Sequence, residues 1–192
     1  GPLVPKFEKK ISGKVDSKFA VAVNSATSAL HISCLALGLK KGDLIWTSPN
    51  SFVASANCGL YCGANVDFVD IDSKTYNISI EALSNKLVEA EKSGRLPKIL
   101  IPVHFAGQPC DMIAIHKLSK KYGFKIIEDA SHAIGASYNQ NKVGSCAHSD
   151  ITVFSFHPVK IITTGEGGMA LTNNDMVVNR LLHLRNSGNT RN

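Results

Sequence analysis

Short apolar runs alternate along this chain with longer amphipathic stretches, and that alternation restricts the fold more than any other feature. The runs "KFAVAV", "DLIWTS", "NVDFVD", "KILIPV", "FKIIED", "DITVFSF" and "GMALTN" have strand length. Several are continuously apolar, the pattern of strands covered on both faces. Between them, residues 25–39, 51–62, 80–92, 111–122 and 174–185 carry helical periodicity, several opened by Ser, Asn or Asp, which cap a first turn. Strands joined by helices predict an α/β plan with a mainly parallel central sheet flanked by helices. The close succession of "DITVFSF", "GEGG" and "GMALTN" fits a βαβ unit poorly and admits an antiparallel strand. No internal repeat, low-complexity tract or linker divides the chain.

Composition narrows the function classes. With 44% hydrophobic residues the chain can bury a core, yet its longest apolar runs, such as 99–103 and 19–23, are too short to span a bilayer. The start "GPLVPKFEKK" has no apolar signal region, so a cytoplasmic chain with no membrane partner is expected. Five cysteines, an odd number without a CxxC pair, argue against disulfides. Cys58 and Cys62 could share a helix face, but no histidine pair accompanies them, so they read as small hydrophobes and no metal is expected. The net charge of +6 raises the question of nucleic acid. Its basic residues gather in "FEKKISGK" and "KLSKKYGFK" without interleaved aromatics, as on solvated helix faces, so no nucleic-acid partner is expected. The "NIS" sequon at Asn77 is incidental without a secretory signal.

In open α/β sheets, ligands bind beyond the carboxyl ends of the strands. After "FAVAV" comes "NSATSAL", where helix-start N–H groups could face an anion, or where Asn24 or Ser25 simply caps the helix. After "FKIIE" comes Asp129, a buried-strand carboxylate that must either cap the next segment or hold a cation. Glu128, by strand alternation, points to the other face. "DITVFSFHPVK" then leads to Ser155, His157 and Lys160. Lys160, set beside Phe154, Phe156, Pro158, Val159, Ile161 and Ile162, is either a desolvated lysine able to act as a nucleophile or a snorkelling one. His157 reads as a packed or solvated histidine. An anion cradle, a buried acid and a lysine, in that chain order, are the parts that pyridoxal phosphate requires.

The motifs "NSATSALH", "SPNSFVASAN", "PVHFAGQPCDM", "EDASHAIGA" and "FSFHPVKIITTGEGGM" together resemble the DegT/DnrJ/EryC/StrS sugar aminotransferases across nearly the whole chain. The resemblance implies a fold-type-I aminotransferase large domain over residues 1–192. It implies pyridoxal 5'-phosphate as cofactor, glutamate as amino donor, a nucleotide-linked keto-sugar as acceptor, and a ping-pong mechanism in a homodimer with shared sites. Lys160 matches the Schiff-base lysine and Asp129 the partner of the pyridine nitrogen. Ala26 and Thr27 fall on the phosphate turn, and Ser155 is a further phosphate donor. Phe52 matches the ring-stacking aromatic, His132 a position near the ring hydroxyl, and "GEGG" the turn that reverses the chain near the cofactor. The nearest branch is the one that aminates UDP-linked 4-keto deoxy-HexNAc sugars, as in pseudaminic acid synthesis. Relatives continue into a smaller C-terminal domain and begin earlier, so the chain is expected to be incomplete at both ends. Two alternatives differ in class. One is a dehydratase-type relative, against which Lys160 speaks because a histidine holds that place there. The other is a truncated, non-catalytic cofactor-binding or partner subunit.

Overall fold

Every strand-length apolar run of the sequence forms a strand. In the computed structural model, which describes residues 1–188, these are β1 (Phe19–Val23), β2 (Leu44–Thr47), β3 (Asn65–Phe68), β4 (Ile99–Ile101), β5 (Lys125–Asp129), β8 (Ile151–Ser155) and β9 (Gly168–Thr172). They make one seven-stranded sheet in the order β1-β9-β8-β5-β4-β2-β3. The run from β8 through β3 is parallel, while β9 is antiparallel to both of its neighbours, β1 and β8. The connection before β9, residues 156–167, contains no helix, whereas the crossover of a parallel return is usually one. A separate two-stranded hairpin, β6 (Ser137–Tyr138) and β7 (Asn141–Lys142), is too short and polar to be seen in the apolar pattern.

The helices are α1 (Leu3–Val15), α2 (Ala26–Ala36), α3 (Ala54–Tyr61), α4 (Ile80–Lys92), α5 (Met112–Tyr122) and α6 (Asp175–Arg185). Ser25, Ser79, Asp111 and Asn174 each accept a first-turn N–H at the start of α2, α4, α5 and α6. α1 goes beyond the helices predicted from periodicity; its apolar side is little more than Ile11 and Val15 with Phe7. Strand alternation sorts the layers. Ile99, Ile101, Ile127 and Val153 face α2, α3 and α6, whereas Leu100 and Ile126 face α4 and α5, and Phe154, Met169 and Leu171 meet α1. Each fully buried Leu, Ile or Phe stabilises the fold by ~1.5–3 kcal/mol relative to exposure. No helix among the described residues is long and apolar enough to cross a membrane.

This topology gathers the strand ends. β1, β2, β4, β5 and β8 run the same way, so their carboxyl ends lie along one edge, and the reversed β9 begins there. Gly168 opens β9 between Val23 and Ser155. A Cβ on it would sit 2.2 Å from the carbonyl carbon of Ser25 and 2.4 Å from the nitrogen of Ala26, so glycine alone lets β9 pass beneath the first turn of α2.

Candidate active site

A cavity of ≈ 500 Å³ opens at this carboxyl edge. Ala26, Thr27, Phe52, Asp129, His132, Ser155 and Lys160 all line it, so the structure brings together every residue that the motifs single out. Its floor is formed by residues following β1, β4, β5 and β8, and its rim by the segment before α3 and the loop after β8.

Ser25 caps α2, its Oγ accepting the N–H of Ser28 at 3.1 Å. The cap does not consume the turn, because the N–H groups of Ala26 and Thr27 precede the first intrahelical bond, which Ala29 donates to Ser25. The capping alternative is the one formed, and it leaves the Ala26 and Thr27 N–H groups facing the cavity. Ser155 lies beside them at the end of β8. Its Oγ accepts a long bond of 3.5 Å from the N–H of His157, which leaves the hydroxyl proton free to donate.

Asp129 ends β5 with its side chain buried. One carboxylate oxygen accepts the N–H and Oγ of Ser131 at 3.2 and 2.6 Å, capping the turn that follows; the other accepts Ser55 Oγ at 2.6 Å. Ser55 is in turn 2.6 Å from Ser51 Oγ. Among the described residues no cationic side chain pairs with Asp129. Glu128 points to the opposite face, where it accepts bonds from His104, Ser149 and Thr152. Burial pushes Glu128 up, but His104 beside it and then the two hydroxyls hold its carboxyl below the usual range.

Lys160 lies in the loop between β8 and β9, its N–H bonded to the carbonyl of His157. The loop closes on Phe156, whose carbonyl accepts from Thr163 and Thr164 and whose N–H donates to Gly167; Gly165 supplies a left-handed turn at φ +80°. The apolar shell that the desolvated reading of Lys160 requires is not formed among the described residues. Phe154 and Phe156 point into the core, Val159 and Ile161 are exposed, and Lys160 is only half-buried. Lys160 Nζ instead lies 2.5 Å from His132 Nε2. Burial and then the charge of Lys160 lower the His132 pKa, so His132 is the neutral acceptor in this pair. Phe52 stands at the rim, 73% exposed.

Several residues inside the quoted motifs take part in the site without having been singled out there. Ser131 is two residues from Asp129 and could have been found from the short spacing, whereas Ser55 reaches it only through the packing of α3, 74 positions away. Asn50, Phe105 and Glu166 also line the cavity, with His157 3.6 Å from Glu166. Asn77 is structural: its amide donates to the carbonyls of Gln108 and Pro109 and accepts from Phe105, holding the Phe105 loop in place. Among the described residues no group of three or more His, Cys, Asp or Glu is placed to hold a metal ion.

A parallel-sheet edge that presents helix-start N–H groups, a buried carboxylate and a lysine amine in one cavity places the chain in the class of α/β aminotransferases. It belongs to the DegT/DnrJ/EryC1/StrS aminotransferase family, whose model matches residues 1–192. Over 188 residues it is 42% identical to the UDP-4-amino-4,6-dideoxy-N-acetyl-beta-L-altrosamine transaminase of Campylobacter jejuni, covering 98% of this chain and 48% of that one. Among solved structures, Helicobacter pylori PseC, an aminotransferase involved in the biosynthesis of pseudoaminic acid, is 32% identical with a TM-score of 0.87 over 98% of this chain and 49% of that one. The ntda protein of Bacillus subtilis, solved with bound cofactor PMP, is 30% identical with a TM-score of 0.84 over 95% of this chain and 40% of that one. The chain spans about half the length of the curated relatives it matches.

Proposed function

We propose that residues 1–192 form the pyridoxal-phosphate-binding large domain of an aminotransferase that transfers an amino group from glutamate to a keto group of a nucleotide-linked deoxy sugar. The observation that carries this reading is Asp129. A buried carboxylate held by neutral donors, with no cationic side chain paired to it among the described residues, suits a cationic ring N–H arriving from the cavity. The rest of the cavity fits the same group. Ala26 N–H, Thr27 N–H and the Ser155 hydroxyl suit a phosphate, Phe52 offers a face for a ring, and Lys160 supplies an amine for a carbonyl. When bound, this cofactor supplies a protonated ring that takes up the electron pair left as a substrate carbon loses its proton.

Within that scheme, Asp129 keeps the ring nitrogen protonated, and Ser55 and Ser131 fix the carboxylate's orientation. His132 accepts the bond from Lys160 Nζ and so aims the amine into the cavity. The family and the transaminase relative support a nucleotide-sugar acceptor. The same relative and PseC favour the UDP-linked 4-keto deoxy-HexNAc branch. A homodimer with shared sites completes the proposal.

The test uses the protein extended with the missing segments of a relative, loaded with pyridoxal phosphate and followed in two half-reactions. Glutamate should convert the cofactor to its amine form, and a UDP-linked 4-keto deoxy sugar should restore it. Asp129→Asn should retain cofactor binding but slow the first half-reaction by orders of magnitude, because the lost interaction serves the transition state. An unchanged rate in Asp129→Asn removes Asp129 from the chemistry, and inertness of the unaltered protein toward both partners removes the proposed reaction.

A further inference from the structure

On the face of the sheet away from the cavity, His104 and Glu128 form a buried pair, their side chains 0% and 7% exposed. His104 Nε2 donates to the Glu128 carboxylate at 2.8 Å, and His104 Nδ1 accepts the N–H of Cys110 at 3.2 Å. Glu128 also accepts Thr152 Oγ1 at 2.9 Å and Ser149 Oγ, so one carboxylate joins the segment after β4, the end of β5 and the start of β8. Desolvation offsets much of what such a pair adds to stability. Its consequence is geometric, because the same segments carry the candidate site. The His104 N–H donates to the Asp129 carbonyl at 3.0 Å and the Asp129 N–H to the Pro102 carbonyl at 2.9 Å, so the backbone of Asp129 is held by the segment that the His104 ring anchors. Next along that segment, Phe105 lines the cavity, and Gly107 passes so close to His132 that a Cβ would sit 2.6 Å from its carbonyl oxygen.

We infer that His104 and Glu128 are positioning residues for Asp129: their bond clamps the segment after β4 against the end of β5 and so fixes the direction in which the Asp129 carboxylate points. The inference rests on the proposed pairing of Asp129 with the cofactor's ring nitrogen. Both residues act through Asp129, since their own side chains meet behind the sheet. Two grips make the clamp. The backbone of residues 102–104 takes both peptide groups of Asp129, and the His104 ring takes the side chain of the residue before it. Without the ring's bond, the segment keeps only its backbone contacts, and the carboxylate held by Ser55 and Ser131 is free to turn with the strand end.

Two probes bound to the 192-residue chain test this: pyridoxal phosphate and its analogue with a C–H in place of the ring nitrogen. The ratio of their affinities reads the contact of Asp129 with the ring nitrogen. The unaltered chain should prefer pyridoxal phosphate by about tenfold or more, as for a hydrogen bond to a charged group, and Asp129→Asn should abolish the preference. His104→Phe should lose most of it while binding the analogue as before. The double variant His104→Phe with Glu128→Met should behave alike, and it leaves no unpaired buried charge to unfold the chain. His104→Gln, whose amide can still donate to Glu128, should recover the preference. A pair that only stabilised the fold would lower the unfolding midpoint and leave the ratio unchanged. A full ratio in the folded double variant, or no recovery in His104→Gln, overturns the proposal while leaving Asp129 its role. No preference in the unaltered chain, binding of neither probe, or a preference that survives Asp129→Asn removes the role of Asp129 and the proposal with it.

Discussion

His132 and Lys160 are 28 positions apart, and the 2.5 Å contact between them makes each other's proton state consequential. The lowered pKa of His132 comes first from burial and then from the Lys160 charge. A histidine whose folded pKa is depressed adds stability above its unfolded value of 6.5 and loses it as pH falls through the lower folded value. An NMR titration of the His132 ring should therefore show a midpoint below 6.5, moving up in Lys160→Ala as the repulsion is removed but not the burial. A midpoint at or above 6.5 in the unaltered chain contradicts the pair. Sequence showed the two residues but not their contact, since the loop after β8 sets it. The flanking apolar residues left Lys160 open between a desolvated and a snorkelling lysine, and sequence could not decide because it does not show that Val159 and Ile161 face outward. Asp129 and Glu128 were the opposite case. Strand alternation alone assigned them to opposite faces, and the two hydrogen-bond sets lie there.

Elements were more legible than contacts, because period and caps are local properties. Ile80–Lys92 starts and stops where its periodicity does, and the other four predicted helices agree to within a few residues at each end. α1 was legible only as the solvated helix face of its basic run "FEKKISGK", without bounds, and the β6–β7 hairpin escaped because it has no apolar alternation at all. Gly168, the first residue of β9, packs against the start of α2, where a phosphate is proposed to bind. Gly168→Ala would press a methyl group into the backbone of Ser25 and Ala26, and overpacking of this kind costs ~1–3 kcal/mol. Urea unfolding should show a lower midpoint at unchanged slope, with weakened phosphate binding at the α2 start. Unchanged stability would mean that β9 and α2 are free to separate there.

At the scale of the whole molecule, the rim of the cavity is where apolar surface remains. Phe52, Val53, Val159 and Ile161 are all more than half exposed, Phe52 and Val159 lining the cavity itself. Exposed apolar side chains gathered into one patch mark an interface, and a symmetric dimer, as proposed, would cover them. Light scattering of the protein extended by the missing segments should give twice the chain mass, and a fully active monomer would contradict a shared site. Lys160 is the proposed point of covalent attachment, and borohydride trapping locates that attachment by residue. The chain is incubated with pyridoxal phosphate, reduced with borohydride and digested, and the stable adduct is located by mass spectrometry. A single modified peptide carrying the label on Lys160 is expected, and it should be lost in Lys160→Ala. A label distributed over the surface lysines, or held at another lysine with Lys160 unmodified, would contradict it.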